Sequence, residues 1–169
     1  MIPSEIIESK MHELEGKIDH QFRDITWLAK AMCAEKLDDE SAGENYKNEA
    51  LATVGDALLK FVLTDYLYDV EEMDRKGEIT DERKNLENNV TLHDFVLKNG
   101  LIDYAYNDKH FHCEKNIPDH EKVLDKKSHC PYLEAIIGAV YYDSDFQIAK
   151  RWILDWLLPK LQELFSNNN

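Results

Sequence analysis

Two acids stand where apolar helices would ordinarily exclude them. Asp56 lies at the centre of residues 48–68, NEALATVGDALLKFVLTDYLY, and Glu134 is the single charge in residues 132–142, YLEAIIGAVYY. An ionised carboxylate buried without a partner costs several kcal/mol or takes up a proton, so each calls for a cation, a donor network or a solvent-filled cleft. Both stretches are rich in small residues, which lets two helices cross closely and present Asp56 and Glu134 to the same place. Carboxylates so placed bind hard cations. Mg²⁺ suits such a site because it takes oxygen ligands, keeps waters and needs one or two protein carboxylates when a phosphate completes its shell. The alternative is that a lysine, a tyrosine hydroxyl or water satisfies each acid separately at a helix edge. Spacing does not decide between them.

The elements that carry these acids read as helices. In the first stretch Leu51, Val54, Leu58, Phe61, Val62 and Leu67 recur at helical spacing, with Ala50, Ala52, Gly55 and Ala57 between them, which predicts one long buried helix. Upstream, Ser4 is placed to cap a helix with Ile6, Ile7, Met11 and Leu14 on one face and Gly16 at its end. FRDITWLAKAM supplies a second, and KLDDESAGEN is a polar loop. Residues 79–99 form one helix or two, stopped by Gly100. Residues 104–126 show no sustained period and contain Pro118, so they are expected as a surface excursion or mobile loop. After the Glu134 stretch, Ile148, Trp152, Leu154, Leu157, Leu158, Leu161 and Leu164 mark a last amphipathic helix before a polar tail, residues 166–169. With no alternating strand pattern and no repeat, the expected class is all-α, a single domain over residues 1–169.

Composition narrows the function classes. The 169 residues carry a formal charge of −14 and 43% hydrophobic content, enough for a core but without a broad basic surface for polyanions. A carboxylate site loaded with divalent cations turns locally positive, so nucleic acid is disfavoured on average and not at the site itself. Three cysteines without a regular framework, an acidic N-terminus and no long apolar run predict a soluble cytosolic (cytoplasmic) protein with no membrane partner. His110, His112, Cys113, His120, His129 and Cys130 have the residue types of a zinc site, but their spacings match no closed finger, and a coincidental cluster is the simpler account. Trp27, Trp152 and Trp156 are expected in the core or an interface.

These residues also resemble a known family. Asn48-Glu49-x-Leu51-x-x-x-Gly55-Asp56-Ala57 is similar to the signature helix of ribonuclease III, and Glu134-Ala135-Ile136-Ile137-Gly138-Ala139-x-Tyr141-x-Asp143 to its second acidic motif. LEGKIDHQFRDITWLAKAM resembles the opening helices. Arg83-x-x-Leu86-x-x-Asn89-x-Thr91-Leu92 and Lys98-x-Gly100-Leu101 resemble the segment between the motifs, and Lys127 stands where the family has a lysine before the second one. The resemblance implies an all-helical endonuclease domain that acts as a homodimer on double-stranded or structured RNA in RNA processing, with Mg²⁺ or, as a substitute, Mn²⁺. It assigns Asp56 and Glu134 as catalytic metal ligands, Asn48 and Glu49 as dimer-interface or signature support, and Lys127 to RNA phosphates, while Lys126 beside it reads as an ordinary solvated charge. Within these 169 residues no separate double-stranded-RNA-binding domain is expected.

The departures are as specific as the matches. Many members have two more acids, at the positions of Ala52 and Pro131. Their loss opens a second expectation from another class, a catalytically inactive scaffold that binds RNA or a ribosomal or processing complex. The compact Mini-III branch has alanine at the Ala52 position and keeps the two acids kept here.

Overall fold

The computed structural model describes residues 1–37, 46–123 and 130–167. Among these residues eight α-helices run in order: α1 Ser4–Ile18, α2 Thr26–Met32, α3 Glu49–Asp69, α4 Lys76–Glu87, α5 Asn89–Lys98, α6 Tyr132–Asp143, α7 Phe146–Trp152 and α8 Leu158–Asn167. Among the described residues there is no β-strand, only isolated bridges such as Cys33 to Tyr106, so the all-α expectation holds.

The centre of the fold is the pair α3 and α6, with α2 against α6 and α4 against α3. From Tyr132 to Val140, α6 is enclosed at every position except Glu134, as its nearly unbroken apolar sequence requires. α3 is enclosed on one side, by Leu51, Ala52, Gly55, Leu59, Val62, Leu63 and Leu67. The expectation of one long buried helix is corrected on the other side. Phe61 is 56% exposed, and Val54 and Leu58 are partly exposed, because among the described residues no element covers that face.

Glycine sets the separation of the two helices. A Cβ on Gly55 would fall inside the Glu134 carbonyl, and one on Gly138 would lie 2.5 Å from the Leu51 carbonyl oxygen. Backbone therefore meets backbone, and the pairing of Gly55 with Glu134 and of Leu51 with Gly138 makes the crossing antiparallel.

Several helix ends differ from expectation. α1 runs past Gly16 and stops at Asp19, which takes the left-handed conformation at φ 51°, and Ile6 stays exposed while Met11, Leu14 and Ile18 are buried. Residues 76–98 are two helices. Asn88 divides them, its side chain accepting from the Thr91 N–H at 2.9 Å. Gly100, at φ 63°, ends the second, and the Leu101 N–H reaches the Val96 carbonyl at 3.0 Å. The last helix does not continue evenly, because Pro159 lacks the N–H that its preceding turn needs, and Ile153–Leu157 widens into a π turn between α7 and α8.

The segment expected as a surface excursion is irregular yet anchored. Over its described part, Tyr104, Ala105, Tyr106, Phe111, Ile117 and Val123 are buried. The Tyr106 hydroxyl donates to the Ala29 carbonyl at 3.0 Å, and the Ala34 N–H donates to the Tyr106 carbonyl at 2.7 Å. Single apolar side chains spaced irregularly are enough to dock a loop, and they leave no period to read.

Asp143 ties the end of α6 to the approach of α2. It is 9% exposed, and its two oxygens accept from the backbone N–H groups of Arg23 and Asp24, each at 2.8 Å. Asp143→Ala leaves both donors without their charged acceptor. A loss of about 2–4 kcal/mol is expected, which thermal unfolding should register as a fall of roughly 5–15 °C in the midpoint.

Candidate functional site

Asp56 projects from the third turn of α3 and Glu134 from the first turn of α6, and the glycine-mediated crossing brings both to one open cleft. The cleft has a volume of about 400 Å³ and is lined by Glu49, Ala52, Thr53, Asp56, Pro131 and Glu134. The two acids picked from spacing thus meet. The two positions at which the resemblance leads one to expect acids line the same cleft as Ala52 and Pro131. Pro131 suits the start of a helix but offers no side-chain oxygen.

The acids differ in environment. Asp56 is about one third exposed and accepts from Lys60 Nζ at 2.7 Å, an i,i+4 pair along α3. Glu134 is more enclosed. Burial first, and then the charge of Asp56, push its carboxyl up to about 7, against the opposing pull of Lys60. Glu87, from the end of α4, adds a further negative charge to that field.

Glu87 and Lys60 were not singled out from the sequence. Lys60 had a local signal, four residues after Asp56. Glu87 had none, because it reads as an ordinary solvated charge in KNLENN. Its side chain is 7% exposed, and Arg83 Nε stands 3.0 Å from Glu87 Oε1, an ion pair whose N–H is not aimed at the oxygen.

The remaining signature residues divide. Asn48 is fully buried and its amide donates to the Ala31 carbonyl at 3.1 Å, so it joins the end of α2 to the start of α3. The Glu49 carboxylate accepts from the Tyr46 N–H at 3.0 Å while lining the cleft. Lys126 and Lys127 lie outside the described residues, as does His129. His110 contacts Glu114 and Glu121, each at 3.2 Å, and both acids raise its affinity for a proton. Of the tryptophans, Trp152 is buried and donates to the Ile18 carbonyl at 2.8 Å, while stacking on Trp156 with ring centres 4.9 Å apart. Trp27 is partly exposed and stacks on Tyr142.

Two carboxylates facing one open cleft fit a hard divalent cation. Burial and then the Asp56 charge hold Glu134 high, an ion between the carboxylates would relieve their repulsion, and Mg²⁺ needs no more than one or two protein oxygens. Among the described residues no group of three or more His, Cys, Asp or Glu is placed to form a protein-only cage, so water and substrate oxygens would complete the shell.

Comparison with known proteins places the chain in a family. A family model described as Ribonuclease III domain matches residues 49–145. Ribonuclease 3 of Desulfotalea psychrophila is 32% identical over 152 residues, covering 89% of this chain and 60% of that protein. Ribonuclease 3 of Hahella chejuensis is 26% identical over 162 residues, covering 92% and 64%. The chain thus spans about three fifths of the length of these curated relatives. Among solved structures, the nuclease domain of ribonuclease III from Campylobacter jejuni, described with structural flexibility in a region involved in dimer formation, superposes with a TM-score of 0.62 at 28% identity, covering 92% of this chain and 95% of that one.

Proposed function

The chain belongs to the ribonuclease III domain family, and on that premise we propose that it is a metal-dependent endoribonuclease that hydrolyses phosphodiesters in double-stranded or structured RNA. Asp56 and Glu134 are its catalytic metal ligands, for Mg²⁺ or, in its place, Mn²⁺. The observation that carries this is the convergence of two carboxylates from separate helices in one open cleft, with the more enclosed one raised to about 7 by burial and by its neighbour.

When bound, the ion supplies Lewis-acid polarisation of a phosphodiester oxygen and a water made nucleophilic for in-line displacement. The chain's own part is positional. Gly55 and Gly138 keep α3 and α6 at a fixed separation, so the two carboxylates are held on rigid elements and need little reorganisation to share a ligand. Glu49 holds the first turn of α3 through the Tyr46 N–H, and Asn48 ties that turn to α2.

The uncovered face of α3 supports a homodimer. Val54, Leu58 and Phe61 of α3, with Tyr141 and Phe146, line an open apolar hollow of about 460 Å³. An exposed patch of this kind marks an interaction surface, and a second copy of the chain is the occupant proposed. Phe61→Asp is expected to yield a monomer by sedimentation, with its helical circular dichroism preserved. A dimer that persists in this variant would place the interface elsewhere.

Among the described residues Cys33, Cys113 and Cys130 form no disulfide, and a reducing cytosolic compartment is proposed for the chain. No helix among the described residues is long and apolar enough to cross a membrane. Lys127 is proposed to contact RNA phosphate, where Lys127→Ala should weaken binding of every duplex by a similar factor.

The deciding experiment is incubation of the purified protein with a labelled, perfectly paired RNA duplex in Mg²⁺, in Mn²⁺ and in chelator. Metal-dependent cutting supports the nuclease. A second reading, the inactive scaffold, is favoured by Ala52 and Pro131 in the cleft, and it predicts a duplex bound but uncut in both metals.

A further inference from the structure

The face of α3 that carries Asp56 continues through Lys60 to Thr64, one turn at a time. Lys60 Nζ is 2.7 Å from Asp56 Oδ2, so an ammonium group stands on the carboxylate that a divalent cation would need. On the neighbouring helix, Arg83 Nη1 donates to Thr64 Oγ1 at 3.1 Å. α3 and α4 are joined by a short connection and pack on one another, so one turn back along α3 and one turn forward along α4 set Glu87 opposite Lys60. The Glu87 side chain is 7% exposed, and its Oε2 is buried with no hydrogen-bond partner among the described residues. A buried carboxylate oxygen left without a donor costs free energy, and its use in another state of the molecule is one reason for it to be there.

We propose that Lys60 is the counter-ion of the metal-free site, displaced from Asp56 when a divalent cation binds, and that the free oxygen of Glu87 receives the displaced ammonium. This inference rests on the assignment of Asp56 and Glu134 as metal ligands and adds a positioning pair to it. The exchange keeps both carboxylates neutralised. Before loading, Lys60 screens Asp56 while Glu87 relies on Arg83. After loading, the cation holds Asp56 and Glu134, and Lys60 completes Glu87. The fields agree with this arrangement: Asp56 and then Glu87 favour the charged form of Lys60, and Arg83 and Lys60 both oppose the effect of burial on Glu87. Lys60 is 46% exposed, on a long flexible stem, and can make the move without disturbing α3.

The test is Mn²⁺ binding to the metal-free protein, followed by electron paramagnetic resonance of the free ion, in wild type, Lys60→Met, Glu87→Gln and the double variant. Lys60→Met removes the competitor and is expected to tighten binding about two- to fivefold, the scale of a partly exposed ion pair. Glu87→Gln removes the charged acceptor, keeps Lys60 on Asp56 and should weaken binding by a similar factor. In the double variant the loss due to Glu87→Gln should vanish, since no ammonium is left to relocate. If Glu87→Gln weakens binding equally with and without Lys60, Glu87 acts by its field alone and the exchange is overturned. Weaker binding in Lys60→Met overturns it as well. If wild type binds no Mn²⁺, or Glu134→Gln binds it undiminished, the metal-ligand assignment fails and takes this inference with it. Binding that depends on Glu134 but ignores Lys60 overturns the inference alone.

Discussion

Glu134→Gln is expected to leave a labelled RNA duplex uncut under conditions in which the wild-type chain cleaves it, and at the same time to raise the thermal midpoint of the metal-free protein. The two effects have one cause. Glu134 is held near 7 instead of its ordinary 4.5 because burial and the Asp56 charge both disfavour its ionised form. Below pH 4.5 the folded and unfolded chains both hold the proton. Between 4.5 and 7 the folded protein keeps a proton that the unfolded chain releases, so stability falls as pH rises, and above 7 the whole penalty is present. A glutamine carries no such penalty. Allowing for the carboxyl's partial exposure, the gain at pH 8 is about 1–3 kcal/mol, or roughly 3–10 °C.

The same carboxyl loses its use as a ligand in that variant, and cleavage should fall about a hundredfold or more. Asp56→Asn should lose cleavage to a similar extent. In the wild type, proton and cation compete for Glu134, so apparent Mn²⁺ affinity should drop about tenfold per unit as pH falls below 7 and level off above it. Cleavage retained by Glu134→Gln would remove that residue from the mechanism. A midpoint that does not rise would mean that Glu134 is not held in an adverse field.

Gly55→Ala is expected to be the most damaging single-methyl change in the chain. The added carbon would fall inside the Glu134 carbonyl, with the Gly138 nitrogen 2.9 Å away, and both obstacles are backbone that cannot swing aside. α3 and α6 would have to separate along their whole crossing, loosening Leu51, Leu59, Ile136 and Val140 together. Overpacking of a core costs about 1–3 kcal/mol where side chains can yield. Here they cannot, and a loss above about 3 kcal/mol, roughly 10 °C or an insoluble product, is expected. Any folded Gly55→Ala protein should also bind Mn²⁺ poorly, since the crossing sets the distance between the two acids. Gly16→Ala is the control. Gly16 sits inside α1 with nothing within 4 Å of the added carbon, so that change should stabilise by about 0.5–1 kcal/mol. If Gly55→Ala unfolds no earlier than wild type, the close crossing is not what holds these helices.

The legible parts of the site share a property. Asp56 and Glu134 were visible because each is an acid among apolar residues of its own helix, a contrast confined to some twenty residues of chain. Asn48 and Glu49 were visible by position in a signature, although their work inside this chain, tying α3 to α2 and to Tyr46, was not. Phe61 shows the limit of periodicity: an apolar residue at helical spacing looks the same whether its face meets the core or stands open, and here it stands open. Tyr104, Phe111, Ile117 and Val123 show the converse, since docking of isolated side chains leaves no period and looks like a solvated loop.

The helical class, the two acids, the small residues that let their helices approach and the family resemblance that both stretches carry are all legible in the chain read residue by residue. Helix formation and amphipathicity depend on neighbours three and four residues away, so they can be read locally. That Asp56 and Glu134 share a cleft with Ala52 and Pro131, that Glu87 and Lys60 feel one another's charge, and that Phe61 faces outward emerge from the packing of the helices. Those outcomes follow from where two glycines let one backbone touch another and from the register of α4 on α3, contacts between residues far apart in the chain that no local pattern records.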